Sequence, residues 1–259
     1  MRMKGNVTIV TGGNGGIGEA IVLKCGAEGA KVVIVGRNPQ KNENVYKKLI
    51  DQGSEGMVIA ADLTKEDECK AVMETVAEKY GRIDTLVNNA GIFGNTKDVP
   101  QFVKPFDQIT EAEWDAIMNI NVKGMFFCCK HVASYMKEQK SGCIVNISST
   151  TAWLGAPMFL HYGTSKGAIL TMTKGLAVSL APFNVRVNTV CPGQVMTDSS
   201  MSMKSRREEV EEGIVGKQLL QVVTQPEDMA GIIVYLASEE GRIVTGQAIG
   251  VNGGGFLLS

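Results

Sequence analysis

Tyr162 and Lys166 are the two side chains of this sequence whose types and spacing suggest acid/base chemistry. They lie four residues apart in a segment with apolar residues at helical spacing, so they share one face of a predicted helix. An ammonium group beside a phenol favours the phenolate and would lower a pKa that is ordinarily about 10. The pattern therefore predicts that Tyr162 exchanges a proton, although such a pair can also lie at a surface without function.

A serine hydroxyl before this helix is the third candidate. Residues 144–147 form an apolar run typical of a buried strand, and Ser148 and Ser149 follow it directly. Either hydroxyl can reach the same point in space as Tyr162 and donate a hydrogen bond to a carbonyl oxygen. The residues alone leave the choice between the two serines open.

The composition excludes several classes of function. The chain has 259 residues, with 26 Lys and Arg against 27 Asp and Glu, and the basic residues are scattered, so no nucleic-acid-binding surface is predicted. The apolar runs are shorter than a membrane span, and the start of the chain has no signal-peptide core. The six cysteines form no Cys-x-x-Cys pair, so we predict no metal site and expect them to be buried. We expect a cytoplasmic protein that does not bind membranes.

A glycine-rich turn follows the first predicted strand. The β-branched run 7–10 continues as Thr-Gly-Gly-Asn-Gly-Gly-Ile-Gly into a helical pattern. Glycines bring bare N–H groups and the start of a helix against a pyrophosphate, and a strand before and a helix after are the required context. This pattern predicts a dinucleotide site rather than mere tight packing. The cofactor-binding residues assigned to it are Gly12, Asn14, Gly15, Gly16, Ile17 and Gly18.

The end of the second predicted strand indicates which dinucleotide is bound. Residues 31–35 lead into Gly36, Arg37 and Asn38, without the acidic residue that would accept hydrogen bonds from a ribose 2′-hydroxyl. Arg37 offers a fork suited to a 2′-phosphate, although it could also be a solvated surface arginine. The sequence therefore predicts NADP(H), with NAD(H) as the alternative. The double change Gly36→Asp with Arg37→Ile is expected to reverse that preference.

Strands and helices alternate along the rest of the chain. The third predicted strand ends in Asp62 and Leu63, where Asp62 either bounds an adenine pocket or simply ends the strand. Later, Asn121 lies in an apolar helix, as either a satisfied core amide or a group that holds a water in a proton relay. The alternation predicts an α/β fold, a doubly wound parallel sheet in a single domain over residues 1–259, with ligands at the carboxyl ends of the strands.

In this order the motifs resemble those of the short-chain dehydrogenase/reductase family, from about Lys4 to Gly254. The family's cofactor motif matches Thr11, Gly12, Gly16 and Gly18, and its Asn-Asn-Ala-Gly motif matches residues 88–91. Its catalytic tetrad matches Asn121, Ser149, Tyr162 and Lys166. Its turn that meets the nicotinamide matches Pro192, Gly193 and Thr197. The family serine usually lies thirteen residues before the tyrosine, which selects Ser149. The resemblance implies a seven-stranded Rossmann sheet in the order 3-2-1-4-5-6-7.

The resemblance also implies the roles of further residues. Lys166 should hydrogen-bond the nicotinamide ribose, and Asn121 should hold the relay water. The additional cofactor contacts it implies are Asn89, Ala90, Gly91, Tyr162, Lys166, Pro192, Gly193, Val195 and Thr197. The segment 195–224 should cover the substrate. A homotetramer is expected, with the helices around Cys128 and Thr171 at subunit contacts.

The expected small-molecule substrate is a fairly apolar secondary alcohol or its ketone, including cyclic, aryl and steroid-like compounds. Trp153, Leu154 and Met158 could line its site, as could Phe102 and Phe106, and no arginine lies near the tetrad in the sequence to bind a carboxylate. Two alternatives are a 3-oxoacyl thioester reductase and a dinucleotide-binding sensor without turnover.

Overall fold

The computed structural model describes residues 1–94, 99, 103–155, 157–201 and 206–257, apart from the side chain of Ser199. Its central sheet has seven strands in the order β3-β2-β1-β4-β5-β6-β7, and every neighbouring pair is parallel. The strands are β1 (Val7–Thr11), β2 (Lys31–Gly36), β3 (Glu55–Ala60), β4 (Thr85–Asn88), β5 (Gly142–Ile147), β6 (Val185–Pro192) and β7 (Ala248–Val251). The predicted fold class and strand order are confirmed.

Helices connect the strands and cover both faces of the sheet. They are α1 (Gly16–Ala27), α2 (Pro39–Asp51), α3 (Glu66–Tyr80), α4 (Glu111–Met118), α5 (Met125–Gln139), α6 (Thr151–Leu154), α7 (Leu160–Leu180), α8 (Asp198–Met201), α9 (Arg207–Val215) and α10 (Pro226–Ala237). Between α4 and α5 the chain forms a π-helical turn over Asn119–Gly124, so these two helices run on as one rod. The rod starts at α4 with a capping box, in which Thr110 and Glu113 bind each other's backbone N–H groups.

Alternating residues of each strand enter two hydrophobic cores. In β2, Val33 and Val35 pack on the face covered by α3, α5 and α7. Val32 and Ile34 pack on the opposite face, under α1, α2 and α10. This period of two is the strand geometry itself, and a parallel sheet buried on both faces presents its polar loop groups only at the strand ends. The carboxyl ends of β1, β4, β5 and β6 therefore carry the site.

Within the described residues, no helix is long and apolar enough to cross a membrane. The same part of the chain contains no group of three or more His, Cys, Asp or Glu side chains that could hold a metal ion. All six cysteines are buried free thiols, which confirms the expectation that they pack as small apolar side chains.

Candidate functional site

A cavity of about 830 Å³ opens where β4, β5 and β6 end. Three of the four predicted catalytic residues, Ser149, Tyr162 and Lys166, line it. Ser149 is held two residues beyond β5, while Tyr162 and Lys166 project from the first turns of α7. The predicted sharing of one helical face therefore brings the phenol and the ammonium to the same wall as the serine.

The two adjacent serines have different surroundings. Ser148 is buried and its Oγ donates a hydrogen bond of 2.8 Å to the Lys166 backbone carbonyl, which fixes β5 against α7. The Ser149 hydroxyl hydrogen-bonds the Tyr162 phenol, and its oxygen lies 3.0 Å from Thr151 Oγ1 and accepts from the Thr151 N–H at 3.2 Å. The geometry thus favours Ser149 as the group that shares a substrate oxygen with Tyr162.

The pKa of Tyr162 departs from the sequence-based expectation. Removal of the phenol from water raises its pKa to about 12, and the hydrogen bond from Ser149 offsets only part of that rise. The Lys166 ammonium lies 5.5 Å from the centre of the Tyr162 ring, but burial is the largest cause of the pKa shift and acts upward. The expected lowering of the tyrosine pKa is therefore wrong for this structure. Tyr162 is a protonated phenol at neutral pH, which is the form that can give a proton to a carbonyl oxygen.

Lys166 is itself strongly affected by burial. Only 5% of the residue is exposed, and its Nζ donates a hydrogen bond of 2.9 Å to the Ile147 carbonyl. Burial lowers its pKa to about 8, although the nearby Cys191 thiol acts in the opposite direction. A lysine with this pKa can exchange a proton near neutral pH, which suits a group that resupplies Tyr162.

Asn121 lies behind the cavity wall, in the π-helical turn. Its Nδ2 donates to the Ile92 carbonyl at 2.8 Å and to Ser165 Oγ at 3.0 Å, while its Oδ1 accepts from the Ile92 N–H at 2.8 Å. Both amide protons are occupied, as in a satisfied core amide, and the side chain positions the segment after β4 against α7. That Asn121 also holds a relay water stays a prediction, since its Oδ1 can accept a second hydrogen bond.

The glycine turn after β1 packs directly against the segment after β4. Thr11 Oγ1 accepts hydrogen bonds of 3.1 Å from the backbone N–H groups of both Asn89 and Ala90. A Cβ on Gly12, whose φ is +62°, would lie 2.8 Å from Ala90 Cα, and a Cβ on Gly18 would lie 2.0 Å from the Gly12 carbonyl oxygen. Only bare backbone fits this cradle, as a closely approaching pyrophosphate requires. The residues present therefore fit a dinucleotide.

Alanine substitutions at two glycines of this turn should show whether the turn needs glycine for lack of space or for backbone flexibility. Gly18→Ala is expected to lower the free energy of unfolding by about 1–3 kcal/mol, as overpacking does. It should also weaken NADPH binding by at least roughly tenfold, because displacing the Gly12 carbonyl misplaces N–H groups that are each worth about 1.5–3 kcal/mol to a charged ligand. Gly15→Ala is the matched control for stability, because a Cβ there meets no atom within 4 Å. Gly15 belongs to the predicted cofactor set, so the control for NADPH binding is Gly231→Ala on α10, where a Cβ also meets no atom within 4 Å. Urea unfolding and NADPH fluorescence titration measure both effects, and equal behaviour of Gly18→Ala and its control in either experiment would contradict this reading.

A polar network at the end of β2 was not foreseen from the sequence. Asn14 Nδ2 donates to Asn42 Oδ1 at 2.7 Å, and the buried Asn42 in turn donates to the Gly36 carbonyl at 2.9 Å. A Cβ on Gly36 would lie 2.3 Å from Asn14 Nδ2. Gly36→Asp would break this network, so the double change expected to reverse cofactor preference is unsuitable as a test.

The remaining adenosine-side predictions have mixed outcomes. Arg37 and Asn38 are exposed, and Asn38 Oδ1 caps α2 by accepting from the Lys41 N–H at 3.0 Å. Burial acts to raise the pKa of Asp62, but hydrogen bonds from Thr64 and the charge of Arg37 outweigh it and hold the pKa below its usual range. The charge of Arg37 at the end of β2 therefore acts on Asp62 at the end of β3. Leu63, by contrast, is buried in the core.

The cavity brings together only part of the predicted cofactor set. Its wall includes, besides Tyr162 and Lys166, the residues Ile17, Asn89, Gly91, Pro192, Gly193, Val195 and Thr197. Those outside it, at the ends of β1 to β4, are Gly12, Asn14, Gly15, Gly16, Gly18, Arg37, Asn38, Asp62, Leu63 and Ala90. A Cβ on Gly16 would lie 3.5 Å from Thr197 Cγ2, so the two groups of residues meet at the start of α1.

Comparisons with known proteins agree with this geometry. Residues 12–255 match a family described as enoyl-(acyl carrier protein) reductase. The 3-oxoacyl-[acyl-carrier-protein] reductase FabG of Thermotoga maritima is 38% identical over 256 residues, which cover 98% of this chain and 99% of that protein. A short-chain type dehydrogenase/reductase from Mycobacterium ulcerans has a TM-score of 0.91 at 30% identity, over 98% of this chain and 91% of that one. The chain belongs to the short-chain dehydrogenase/reductase family.

A further solved structure is similar to this dehydrogenase/reductase. It is a 7α-hydroxysteroid dehydrogenase in complex with NADH and 7-oxo glycochenodeoxycholic acid, with a TM-score of 0.90 at 30% identity, over 98% of this chain and 95% of that one. The chain is thus an oxidoreductase for alcohol and keto groups that uses a nicotinamide dinucleotide. The alternative of a sensor without turnover is not supported.

The substrate side of this dehydrogenase/reductase differs from the prediction in detail. Leu154 lines the cavity, but Trp153 and Met158 do not; the Trp153 ring stacks on Phe256 instead, with ring centres 5.6 Å apart. Phe106 is 66% exposed, and Phe102 lies outside the described residues. Phe93 and Phe159, which line the cavity, were not predicted from the sequence. The Phe93 ring meets the Tyr162 ring edge-on, with ring centres 6.2 Å apart.

A buried ion pair anchors the loop that precedes α4. Lys104 Nζ lies 2.8 Å and 2.9 Å from the two carboxylate oxygens of Glu113, and the exposed fractions of the two side chains are 14% and 8%. The Lys104 N–H also donates to the Met158 carbonyl at 3.2 Å, just before α7. Lys104 holds the pKa of Glu113 at about 2, against an ordinary value of 4.5. The ion pair thus ties this loop to α4, and the Lys104 N–H ties it to the turn before α7.

Proposed function

We propose that this chain is a cytoplasmic, NADP(H)-dependent oxidoreductase, one domain over residues 1–259, that interconverts a secondary alcohol and its ketone. The observation that carries the proposal is the shared cavity wall of Ser149, Tyr162 and Lys166, with the Ser149 hydroxyl bonded to the Tyr162 phenol. Apolar side chains near that wall, including Phe93, Leu154 and Phe159, support cyclic, aryl or steroid-like substrates.

The three side chains divide the proton chemistry of ketone reduction. A bound nicotinamide dinucleotide supplies the hydride in this class of reaction. Tyr162 gives its proton to the carbonyl oxygen, and Ser149 donates a hydrogen bond to the same oxygen as negative charge develops on it. Lys166, with its pKa of about 8, returns a proton towards Tyr162. In alcohol oxidation the same groups act in reverse, and Tyr162 must then be deprotonated.

The preference for NADP(H) rests on the end of β2. Gly36 places no carboxylate there, and the exposed Arg37 can form a charge-assisted pair with a 2′-phosphate. NADH is the dinucleotide in the 7α-hydroxysteroid dehydrogenase complex, so the preference is proposed for this chain on its own residues.

Neutralising Arg37 should affect one dinucleotide only. Arg37→Gln is expected to raise the KM for NADPH roughly tenfold. This is the lower end of what hydrogen bonds to charged groups contribute, because the Arg37 side chain is exposed. The KM for NADH should stay unchanged. Lys47→Gln, an exposed lysine on α2, is the charge-matched control. A wild-type kcat/KM that is higher with NADH than with NADPH would refute the proposed preference.

A ketone panel tests the substrate proposal. Oxidation of NADPH, followed at 340 nm, should depend on added cyclic, aryl and steroid ketones. The runner-up, a 3-oxoacyl thioester reductase, is favoured by the 38% identity with the Thermotoga maritima enzyme. Turnover of a 3-oxoacyl thioester with a kcat/KM well above that of every ring ketone would select the runner-up instead.

A homotetramer is proposed as the assembly. On α5, Cys128 is fully buried within the chain, so an interface there would use its neighbour Phe126, which is 45% exposed. On α7, Thr171 is exposed, as is Val178 at 78%. Two apolar, exposed helix faces of this kind suit contacts between subunits.

A further inference from the structure

We infer that the preferred substrate carries an anionic group remote from its reacting carbon and that Lys217 binds this group. The inference rests on the proposed function. Among the described residues that line the cavity, the only charged side chains are Lys166 and Lys217, and none is Asp or Glu. The cavity is therefore positively charged, although it opens onto a protein with a net charge of −1.

The two lysines are placed differently. Lys166 is buried and its ammonium is held by the Ile147 carbonyl beside Tyr162. Lys217 is exposed and follows the end of α9 at Val215. Its Nζ lies 3.4 Å from the Gln194 side-chain oxygen, and in the described part of the chain no carboxylate lies within 4.0 Å of it. Its charge is thus available to a ligand.

The surroundings of Lys217 are polar, unlike those of Tyr162. Gln194, Gln218 and Asn252 line the cavity with it. Gln218 is held in place because its amide donates to the Leu220 carbonyl at 2.8 Å and its oxygen accepts from Thr224 Oγ1 at 3.1 Å. The cavity is lined as well by Phe93, whose ring meets the Tyr162 ring edge-on, and by the aliphatic Val103 and Leu154. A cavity of about 830 Å³ that combines such apolar side chains with an exposed cation suits an amphipathic ketone better than a small neutral one.

Lys217 and the catalytic residues come from different connections of the sheet. In a 2-oxo acid the carboxylate is bonded to the reacting carbonyl carbon, so it would lie beside Ser149 and Tyr162, on the connections of β5 and α7. Lys217 contacts the residue after Gly193, on the connection of β6, and belongs to the segment between α9 and α10. We therefore expect the anion at Lys217 to be several bonds away from the carbonyl group and a 2-oxo acid to be a poor substrate.

A matched pair of substrates tests the inference. A ring ketone with a remote carboxylate and the methyl ester of the same compound differ only in charge. We expect the wild-type kcat/KM to be about fivefold higher for the carboxylate, the range of an exposed ion pair. Lys217→Gln should abolish this advantage and leave the ester unchanged, and Lys217→Glu should invert it. The advantage should shrink at high salt, since the lysine is exposed. Lys47→Gln is the control and should change neither substrate.

The possible outcomes separate the inference from the proposed function. If the wild-type kcat/KM is the same for the ester and the carboxylate, the inference is wrong and the proposed function stands. The same holds if Lys217→Gln lowers the kcat/KM of both compounds equally. If no ketone is reduced, both are wrong. The anion could also be a phosphate of a thioester carrier. A 3-oxoacyl thioester of coenzyme A, preferred over its neutral N-acetylcysteamine thioester in a Lys217-dependent way, would identify that source and support the inference.

Discussion

Tyr162→Phe is expected to lower kcat for ketone reduction by about 10²–10⁴-fold, the usual contribution of a general acid. The change removes one hydroxyl and keeps the ring, so the edge-on contact with Phe93 should persist. NADPH affinity should be retained, because the change leaves the glycine cradle after β1 intact. Single-turnover kinetics and NADPH fluorescence titration measure the two quantities separately.

The control for this variant is Tyr235→Phe on α10, outside the cavity. It should leave kcat unchanged. Since burial raises the pKa of Tyr162 to about 12, the phenol stays protonated at neutral pH, so reduction should be efficient there and alcohol oxidation should accelerate as the pH rises. Tyr162→Phe with near-normal turnover would show that another group supplies the proton.

Glu113→Gln should be the most destabilising of the proposed single changes, lowering the free energy of unfolding by about 3–5 kcal/mol at neutral pH, as breaking a buried ion pair does. The substitution leaves the Lys104 ammonium buried without its carboxylate and weakens the capping box at Thr110. Urea unfolding at neutral pH measures the loss. Glu111→Gln, which removes the same charge from an exposed position of α4, should stay within about 0.5 kcal/mol of wild type.

The effect of Glu113 must depend on pH in a defined direction. Its pKa in the folded chain is about 2, below the ordinary 4.5, so its carboxylate stabilises the fold above that ordinary value. This contribution is lost as the pH falls from about 4.5 to about 2. The difference in the free energy of unfolding between wild type and Glu113→Gln should therefore become smaller as the pH falls through that range. A constant difference down to the lowest pH would mean that the variant acts through packing and not through charge.

The fold could be predicted from the sequence because each local signal agreed with the next. The glycine turn, the β-branched runs and the box of Thr110 and Glu113 each specify one strand or helix boundary, and parallel strands place their carboxyl ends together. The same rule explains why Ser149, Tyr162 and Lys166 meet in one wall. Which serine faces Tyr162 came from the family spacing, and the structure explains it by the bond from Ser148 to the Lys166 carbonyl.

The features that the sequence did not predict depend on contacts between distant segments. The pKa of Tyr162 rises because of burial, which no spacing in the sequence reveals. The bond between Asn14 and Asn42 joins residues 28 positions apart and closes the space beside Gly36. Lys217 lines the cavity because the chain folds back over it after α9. In each case the chemistry depends on which residues, far apart in the sequence, lie close together in the fold.

The most direct test of the central claim follows the hydrogen that is transferred. The wild-type protein is incubated with a ring ketone and NADPH deuterated at the transferable position of C4, and the alcohol product is analysed by mass spectrometry and NMR. We expect one deuterium per product molecule at the carbinol carbon, and the rate of formation of this alcohol should fall by about 10²–10⁴-fold in Tyr162→Phe. An alcohol without deuterium at that carbon, or no alcohol from any ketone while NADPH binds, would contradict it.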